Sequence, residues 1–275
     1  MDIKQAFQLN GKVAAVTGGG GILCSGMSKA LAEFGAKVAV LDLIPEAAQK
    51  VADEINASGG EAIAVMTDVL DKSSLEAAAK RVLDTFGKVD ILINGAGGNK
   101  AAATTSPGER TFFDIPPDAL QWVFNLNFLG TVLTSQVFGK HMTEREEGVI
   151  MNISSMASSR PMTRVLAYAA AKAGISNFTM WLSVYMAQEY SGNIRVNAIA
   201  PGFFLTEQNR YLLTNIDTGK MTQRGKQIID HTPMGRYGVP DDLLGTMIWL
   251  VSDAAQFVTG VVVPVDGGFS AYSGV

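Results

Sequence analysis

Seven short apolar runs recur along the chain, each five or six residues long: Lys12–Val16, Lys37–Leu41, Glu61–Met66, Val89–Ile93, Val149–Ile153, Ile194–Ile199 and Val261–Val265. Runs of that length read as buried strands, and parallel strands need a crossover of about a dozen residues or more, usually a helix. The segments between them supply it. Helical periodicity runs through Phe34 to a stop at Gly35, over Pro45–Ala57, and from a cap at Ser73 to Phe86. It returns over Asp118–Lys140, in a segment carrying Tyr168 and Lys172, and over Asp241–Ser252. This alternation predicts an α/β architecture, a doubly wound parallel sheet of about seven strands with helices on both faces. No linker or fixed-period repeat interrupts it, so residues 1–275 read as one domain, with about 203–235 expected as a helical lid.

The first repeat unit carries chemistry as well as fold. Lys12–Val16 breaks into Thr17-Gly18-Gly19-Gly20-Gly21 before a helix begins. A strand, a glycine turn and a helix together aim unpaired backbone N–H groups at one point, which suits a pyrophosphate. A plain flexible loop is the bland reading. The second strand decides against it by ending on Asp42, 24 positions after Gly18, where a carboxylate can accept hydrogen bonds from an adenosine ribose. The context predicts a dinucleotide site.

Charge and cysteine content narrow the class. A net charge of −4 and a pI near 5.3, with no basic stripe, exclude a typical nucleic-acid partner. Cys24 is the only cysteine, so no intrachain disulfide can form, which suits a reducing compartment. Residues 1–10 have no apolar signal core, and no run approaches the roughly 18 apolar residues that span a bilayer. A cytoplasmic protein with no membrane partner and no metal is therefore expected.

The second chemical signal is Tyr168-Ala169-Ala170-Ala171-Lys172. Residues i and i+4 share one helix face, and three alanines favour helix without adding bulk. A phenol near pKa 10 is a poor base at neutral pH, and a nearby ammonium lowers that value. Tyr168 beside Lys172 is thus a candidate acid/base. Alone the pair is weak, since Tyr and Lys one turn apart are common on ordinary helices.

In order, these pieces resemble the short-chain dehydrogenase/reductase family, over nearly the whole length. The matching residues are Thr17-Gly18, Asp42, Asp68-Val69, Asn94-Gly95-Ala96-Gly97, Asn127, Ser155, Tyr168 with Lys172, Pro201-Gly202 and Thr206, with 13 residues from Ser155 to Tyr168. The resemblance implies a Rossmann fold and an oxidoreductase that interconverts a secondary alcohol and a ketone. It implies that Tyr168 exchanges a proton with the carbonyl oxygen and that Ser155 hydrogen-bonds the same oxygen. Lys172 would bind the nicotinamide ribose and depress the Tyr168 pKa, and Asn127 would hold a water on a proton path. Cofactor contacts would come from Gly18, Gly20, Gly21, Ile22, Leu23, Asp42, Asp68, Val69, Asn94, Ala96, Gly97, Pro201, Gly202 and Thr206, with Tyr168 and Lys172. Two departures stand out. Ile22 and Cys24 occupy the positions, five and seven after Thr17, where the family pattern has glycines, and Gly95 replaces a common asparagine.

Asp42 would repel a 2′-phosphate, and no Lys or Arg stands in Gly18–Gly21 or just after Asp42. NAD(H) is therefore expected over NADP(H). Four stretches resemble a narrower sugar-acid group, the D-mannonate oxidoreductases (fructuronate reductases), with gluconate 5-dehydrogenases near. They are Asn94–Asn99, Ala200–Asn209, His231–Arg236 and Asp266–Val275. A polyol carboxylate needs hydrogen bonds and a cation. Asn99, Lys100, Ser155, Arg160, Gln208 and Asn209 are the substrate candidates, with Arg164, Arg210 and His231 also near the expected mouth. A carrier-linked 3-oxoacyl reductase stays open, although Asp42 speaks against its usual NADPH. A non-catalytic dinucleotide sensor also stays open, although all four catalytic positions are present. The family habit implies a homotetramer. The 33 residues from Asn94 to Asn127 are expected to include a substrate wall.

Overall fold

Each apolar run becomes one strand of a single sheet, and its alternate residues face opposite layers of helix. The computed structural model describes residues 2–205, 213–215 and 219–274. In chain order the elements are α1 (Ile3–Ala6), β1 (Val13–Thr17), α2 (Ile22–Glu33), β2 (Lys37–Asp42), α3 (Pro45–Ala57), β3 (Glu61–Met66), α4 (Lys72–Phe86) and β4 (Ile91–Asn94). Then follow α5 (Pro117–Phe124), α6 (Gly130–Arg145), β5 (Gly148–Ile153), α7 (Leu166–Glu189), β6 (Ile194–Pro201), α8 (Gln223–Asp230), α9 (Leu244–Val251) and β7 (Val262–Val265). The seven strands are ordered β3-β2-β1-β4-β5-β6-β7, and every pairing is parallel.

Ala14 and Val16 pack with α2, α3 and α9 on one side of the sheet, while Val13 and Ala15 pack with α4, α6 and α7 on the other. Both sides of β1 are thus fully buried, as its unbroken apolar run requires. Strand order reverses between β1 and β4, where an α/β sheet opens a crevice at the strands' carboxyl ends. Register brings the site residues level there. Thr17 pairs with Leu41 and Asn94, and Asn94 pairs with Asn152.

Element boundaries depart from the sequence reading by a few residues. Asp71, not Ser73, caps α4: its carboxylate accepts the Ser73 N–H at 2.9 Å. The long helix begins at Pro117 and continues to Arg145, but Asn125–Leu129 forms a π turn inside it. The last helix divides into a 3-10 turn, Pro240–Leu243, and α9. Between β4 and α5 the chain folds into two single 3-10 turns, Ala101–Ala103 and Phe112–Asp114, and an antiparallel bridge joins Ser106 to Arg110. Of the expected lid, the structure describes Phe204 bridged to Gly238 and the helix α8. Thr206, Gln208, Asn209 and Arg210 lie outside the described residues. No described helix is long and apolar enough to cross a membrane.

Candidate active site

A cleft of about 770 Å³ runs along the carboxyl edge of the sheet from Asp42 at one end to Ser155 and Tyr168 at the other. Its floor is backbone. Gly18 has φ +63°, and a Cβ there would stand 2.9 Å from Ala96 Cα. A Cβ on Gly20 would stand 2.6 Å from that of Ala47. Gly21 caps α2 without a side-chain hydrogen bond, leaving the Ile22, Leu23 and Cys24 N–H groups without an intrahelical partner. Ile22, Leu23 and Cys24 line the cleft, so these donors serve an anion. Asp42 is clamped to the same turn: its carboxylate accepts the Gly20 and Ile44 N–H groups, each at 3.0 Å. The only cation among the described lining residues is Lys172, at the opposite end. Together these features fit a dinucleotide whose adenosine ribose lies at Asp42 and whose pyrophosphate lies over the glycine turn.

The two departures from the family pattern turn out to be one feature. Cys24 is 5 % exposed, and burial pushes its thiol up to about 12, against the opposing charge of Lys172. A Cβ on Gly95 would collide with the Cys24 sulfur and would lie 2.8 Å from the Thr17 carbonyl oxygen. The sulfur thus occupies space that only a glycine at 95 leaves free. The loop above it is held by Thr17, whose hydroxyl accepts the Gly95 and Ala96 N–H groups at 3.1 and 3.2 Å.

Four polar side chains meet at the other end. Ser155 follows β5 and is 8 % exposed; its hydroxyl accepts the Ala157 N–H at 3.2 Å and lies on the same cleft wall as Tyr168. Lys172 is 5 % exposed and donates to the Ile153 carbonyl at 2.7 Å. Burial pulls its ammonium down to about 8. Tyr168 stands one turn before it, with the Lys172 Nζ 5.5 Å from the ring centroid. The expected depression of the Tyr168 pKa is not what this geometry gives: enclosure raises it above the ordinary phenol value, and only the influence of the Ser155 hydroxyl opposes that. Asn127 is fully buried in the π turn. Its amide donates to Gly98 O at 2.7 Å and Val123 O at 2.8 Å, while its carbonyl accepts the Gly98 N–H at 3.2 Å. A Cβ on Gly97 would lie 2.7 Å from Asn127 Oδ1 and 3.5 Å from Lys172 Nζ, so these three residues converge.

Other expected residues divide. Asp68, Val69, Ala96, Gly97, Asn99 and Gly202 line the cleft, as does Pro201. Asn94 does not. Its side chain is 3 % exposed and donates to Ser135 at 2.9 Å and Asn152 at 2.8 Å, a strut between β4, α6 and β5. The Lys100 ammonium sits 5.2 Å over the Trp122 ring, and the Arg160 guanidinium donates to Ser270 O at 2.9 Å, so both are occupied away from the cleft. His231 packs near Phe269 and Tyr272, with ring centroids 6.3 and 6.2 Å away. Sequence reasoning missed Leu43 and Ile44, which flank Asp42 on the cleft and are 62 % and 58 % exposed. Two apolar residues directly after the acidic strand end were the available signal. It also missed Phe203, which lines the opposite wall with its ring against Phe269 at 5.3 Å. Among the described residues no cluster of metal-ligating side chains occurs.

Comparison with known proteins agrees with this geometry. A family model described as enoyl-(acyl carrier protein) reductase, of the C2 type of short-chain alcohol dehydrogenases, matches residues 21–270. An uncharacterized oxidoreductase, UxuB, of Bacillus subtilis is 53 % identical, over 97 % of this chain and 98 % of that protein. The 2-dehydro-3-deoxy-D-gluconate 5-dehydrogenase of Escherichia coli is 33 % identical, over 98 % of this chain and 99 % of its own. A crystal structure from Haemophilus influenza, of a candidate D-mannonate oxidoreductase with bound NAD, superposes with a TM-score of 0.93. It is 48 % identical and covers 100 % of both chains. The chain belongs to the short-chain dehydrogenase/reductase family.

Proposed function

We propose that this oxidoreductase uses NAD(H) to interconvert D-mannonate and D-fructuronate, a secondary alcohol and its ketone on a sugar acid. The convergence of Ser155, Tyr168, Lys172 and Asn127 at one end of a cleft that begins at Asp42 carries the reading. Bound NAD(H) supplies the hydride chemistry, and the protein supplies position and a proton. In the direction of reduction, the Tyr168 hydroxyl gives its proton to the substrate oxygen while the Ser155 hydroxyl holds that oxygen in place. Enclosure keeps Tyr168 protonated at neutral pH, as an acid needs to be. Lys172 and Asn127, whose side chains converge beside Gly97, lead the replacing proton inward. The turn from Gly18 to Leu23 holds the pyrophosphate, Asp42 the adenosine ribose, and Asp68, Val69, Ala96, Gly97, Pro201 and Gly202 enclose the rest.

Asp42 and the absence of a cation beside it among the described residues favour NAD over NADP. The sugar-acid reading is supported by likeness to a candidate mannonate oxidoreductase and a deoxygluconate dehydrogenase. Residues 203–235 act as the lid in the single 1–275 domain. The working form is a cytoplasmic homotetramer. An exposed aromatic file supports assembly, with Trp181 (56 % exposed) and Tyr185 (38 %) stacked at 5.0 Å on α7. The test is a substrate panel with NAD(H) and NADP(H): D-mannonate and D-fructuronate, 5-keto-D-gluconate, and an acetoacetyl thioester. The expected result is fastest turnover of the D-mannonate pair with NAD(H). Preference for the thioester, or for NADP(H), overturns the reading.

A further inference from the structure

The chain between β4 and α5 is tied down at several points. Gly98 pairs twice with the Asn127 amide, its N–H donating to Oδ1 at 3.2 Å and its carbonyl accepting from Nδ2 at 2.7 Å. The Arg110 guanidinium donates to Ala101 O at 2.8 Å and Thr104 O at 3.4 Å, which closes the loop on itself. The Thr105 N–H donates at 3.0 Å to the carbonyl of Arg164, four residues before Tyr168. The Lys100 ammonium lies over the Trp122 ring of α5. The 3-10 turn at Ala101–Ala103 is therefore a fixed part of the catalytic end of the cleft.

What this turn delivers is one methyl group. Ala103 is 0 % exposed, whereas Ala101 in the same turn is exposed. With Ala119 and Val123 of α5 and Ala167 of α7, Ala103 forms a third apolar cluster, apart from those on the two faces of the sheet. Tyr168 lines the cleft and packs against this cluster, which thus stands behind the phenol ring. Val123 belongs to it as well, and its carbonyl takes the Asn127 amide at 2.8 Å. Two of the four residues that meet at this end of the cleft therefore lean on one small apolar patch. An alanine methyl has no rotamer to change, so its place is set by the backbone, and close-packed interiors transmit strain. The α7 backbone fixes where the Tyr168 side chain begins, and the cluster limits how far its ring can lean back from the cleft. The same packing adds to the enclosure that raises the Tyr168 pKa.

We propose that Ala103 is a positioning residue for Tyr168, carried by the loop between β4 and α5, and that its methyl group holds the phenol at proton-transfer distance from the substrate oxygen. It touches neither substrate nor cofactor. The proposal rests on Tyr168 as the proton donor in the reading above, and not on which ketone is reduced.

The experiment measures kcat, KM and the NADH dissociation constant for the wild type, Ala103→Val, Ala103→Leu and Ala101→Leu. Each is made both with Tyr168 and in the Tyr168→Phe background, and the fastest ketone of the substrate panel is the probe. Overpacking shifts neighbours, and a misplacement of about 1 Å at a reacting group costs about 100-fold in rate. The expected result for Ala103→Leu is a kcat lowered about 10- to 100-fold, with KM and NADH affinity within about threefold of wild type. Ala103→Val, the smaller step and the safer for folding, should show the same pattern more weakly. Ala101→Leu adds the same bulk on the exposed side and should change nothing. In the Tyr168→Phe background both Ala103 variants should leave the residual turnover unchanged, because the hydroxyl they misplace is gone. An equal drop in both backgrounds, a loss carried by KM, or an unchanged kcat overturns the positioning role and leaves Tyr168 as the donor. A Tyr168→Phe enzyme as active as wild type overturns both.

Discussion

The exchange of glycine for Cys24 makes Gly95 the most revealing position to perturb. Gly95→Ala would drive a methyl group into the Cys24 sulfur and to 2.8 Å from the Thr17 carbonyl oxygen. Real Cβ atoms do not tolerate that approach, so the β4 loop must lift. Overpacking of one methyl group in a tight interior costs about 1–3 kcal/mol, or roughly 2–4 °C in Tm per kcal/mol in a chain of this size. Lifting the loop also strains the Gly95 and Ala96 hydrogen bonds to Thr17, 3.1 and 3.2 Å long. NADH affinity should therefore fall along with Tm. Cys24→Ala alone removes one buried heavy atom, a deletion that costs about 0.5–1.5 kcal/mol. In the double variant the two losses should not add, because the space vacated by the sulfur receives the new methyl group. A favourable coupling of about 1 kcal/mol is expected, with rescue incomplete because the Thr17 carbonyl remains. Denaturant unfolding of the four proteins, with NADH titration beside it, gives the cycle. Strictly additive losses would refute the claim that Cys24 and Gly95 share one space.

Tyr168→Phe keeps the ring and removes the proton carrier, so turnover should drop about 10²–10⁴-fold while NADH binding survives; turnover within a few-fold of wild type removes Tyr168 from the mechanism. Asp42→Ala should weaken NAD⁺ and narrow its advantage over NADP⁺, since it removes a ribose acceptor, a repulsive charge and the carboxylate bonds to Gly20 and Ile44; a widened advantage in paired titrations would contradict the charge argument. Lys172→Met removes an ammonium whose folded pKa is lowered to about 8 from 10.5. Below that value the wild type bears the full cost of burying the charge. As pH rises from about 8 toward 10.5, the folded protein releases the proton before the unfolded chain does, so wild-type stability gains on the variant. Unfolding of both proteins at the two ends of that window measures this, and a constant difference would show that the buried charge has no such cost. Arg110→Ala frees the loop carbonyls of Ala101 and Thr104, bonded at 2.8 and 3.4 Å, and should raise KM for the keto acid with the NADH dissociation constant unchanged. A loss of NADH affinity instead would move that loop to the cofactor side.

What could be read from the sequence was what local pattern encodes. Unbroken apolar runs gave the strands, because burial on both faces leaves no room for polar alternation. Glycines and Asp42 sat at the ends of those runs, where parallel sheets open. Tyr168, Lys172 and Ser155 were legible by spacing, and the structure brings them together. Most of the misreadings depend on contacts distant in sequence. Asn94 looked like a cleft residue, but its side chain turns to Asn152, 58 positions away. Arg160 looked free, but its partner is 110 positions along the chain. The direction of the Tyr168 shift depends on enclosure, which helix spacing does not reveal. Asp71 displaced Ser73 as a cap for a local reason: the helix starts two residues earlier, and the Asp71 carboxylate accepts both the Ser73 N–H and its hydroxyl.

The π turn at Asn125–Leu129 has a consequence for how such a chain can change length. It is one residue of surplus inside an otherwise continuous helix, and it opens the Val123 carbonyl to the Asn127 amide. Deleting any one of those five residues would restore regular winding locally. In regular α-helix each residue removed turns everything beyond it by about 100°, but a residue removed from the turn takes up the surplus instead, so Thr131, Thr134, Ser135 and Phe138 stay buried against the sheet and Asn94 keeps Ser135. What such a loss forfeits is local: the opened Val123 carbonyl and the Asn127 amide that fills it. The segment can therefore shed a residue with the following helix still in phase, and the cleft rather than the sheet registers the change.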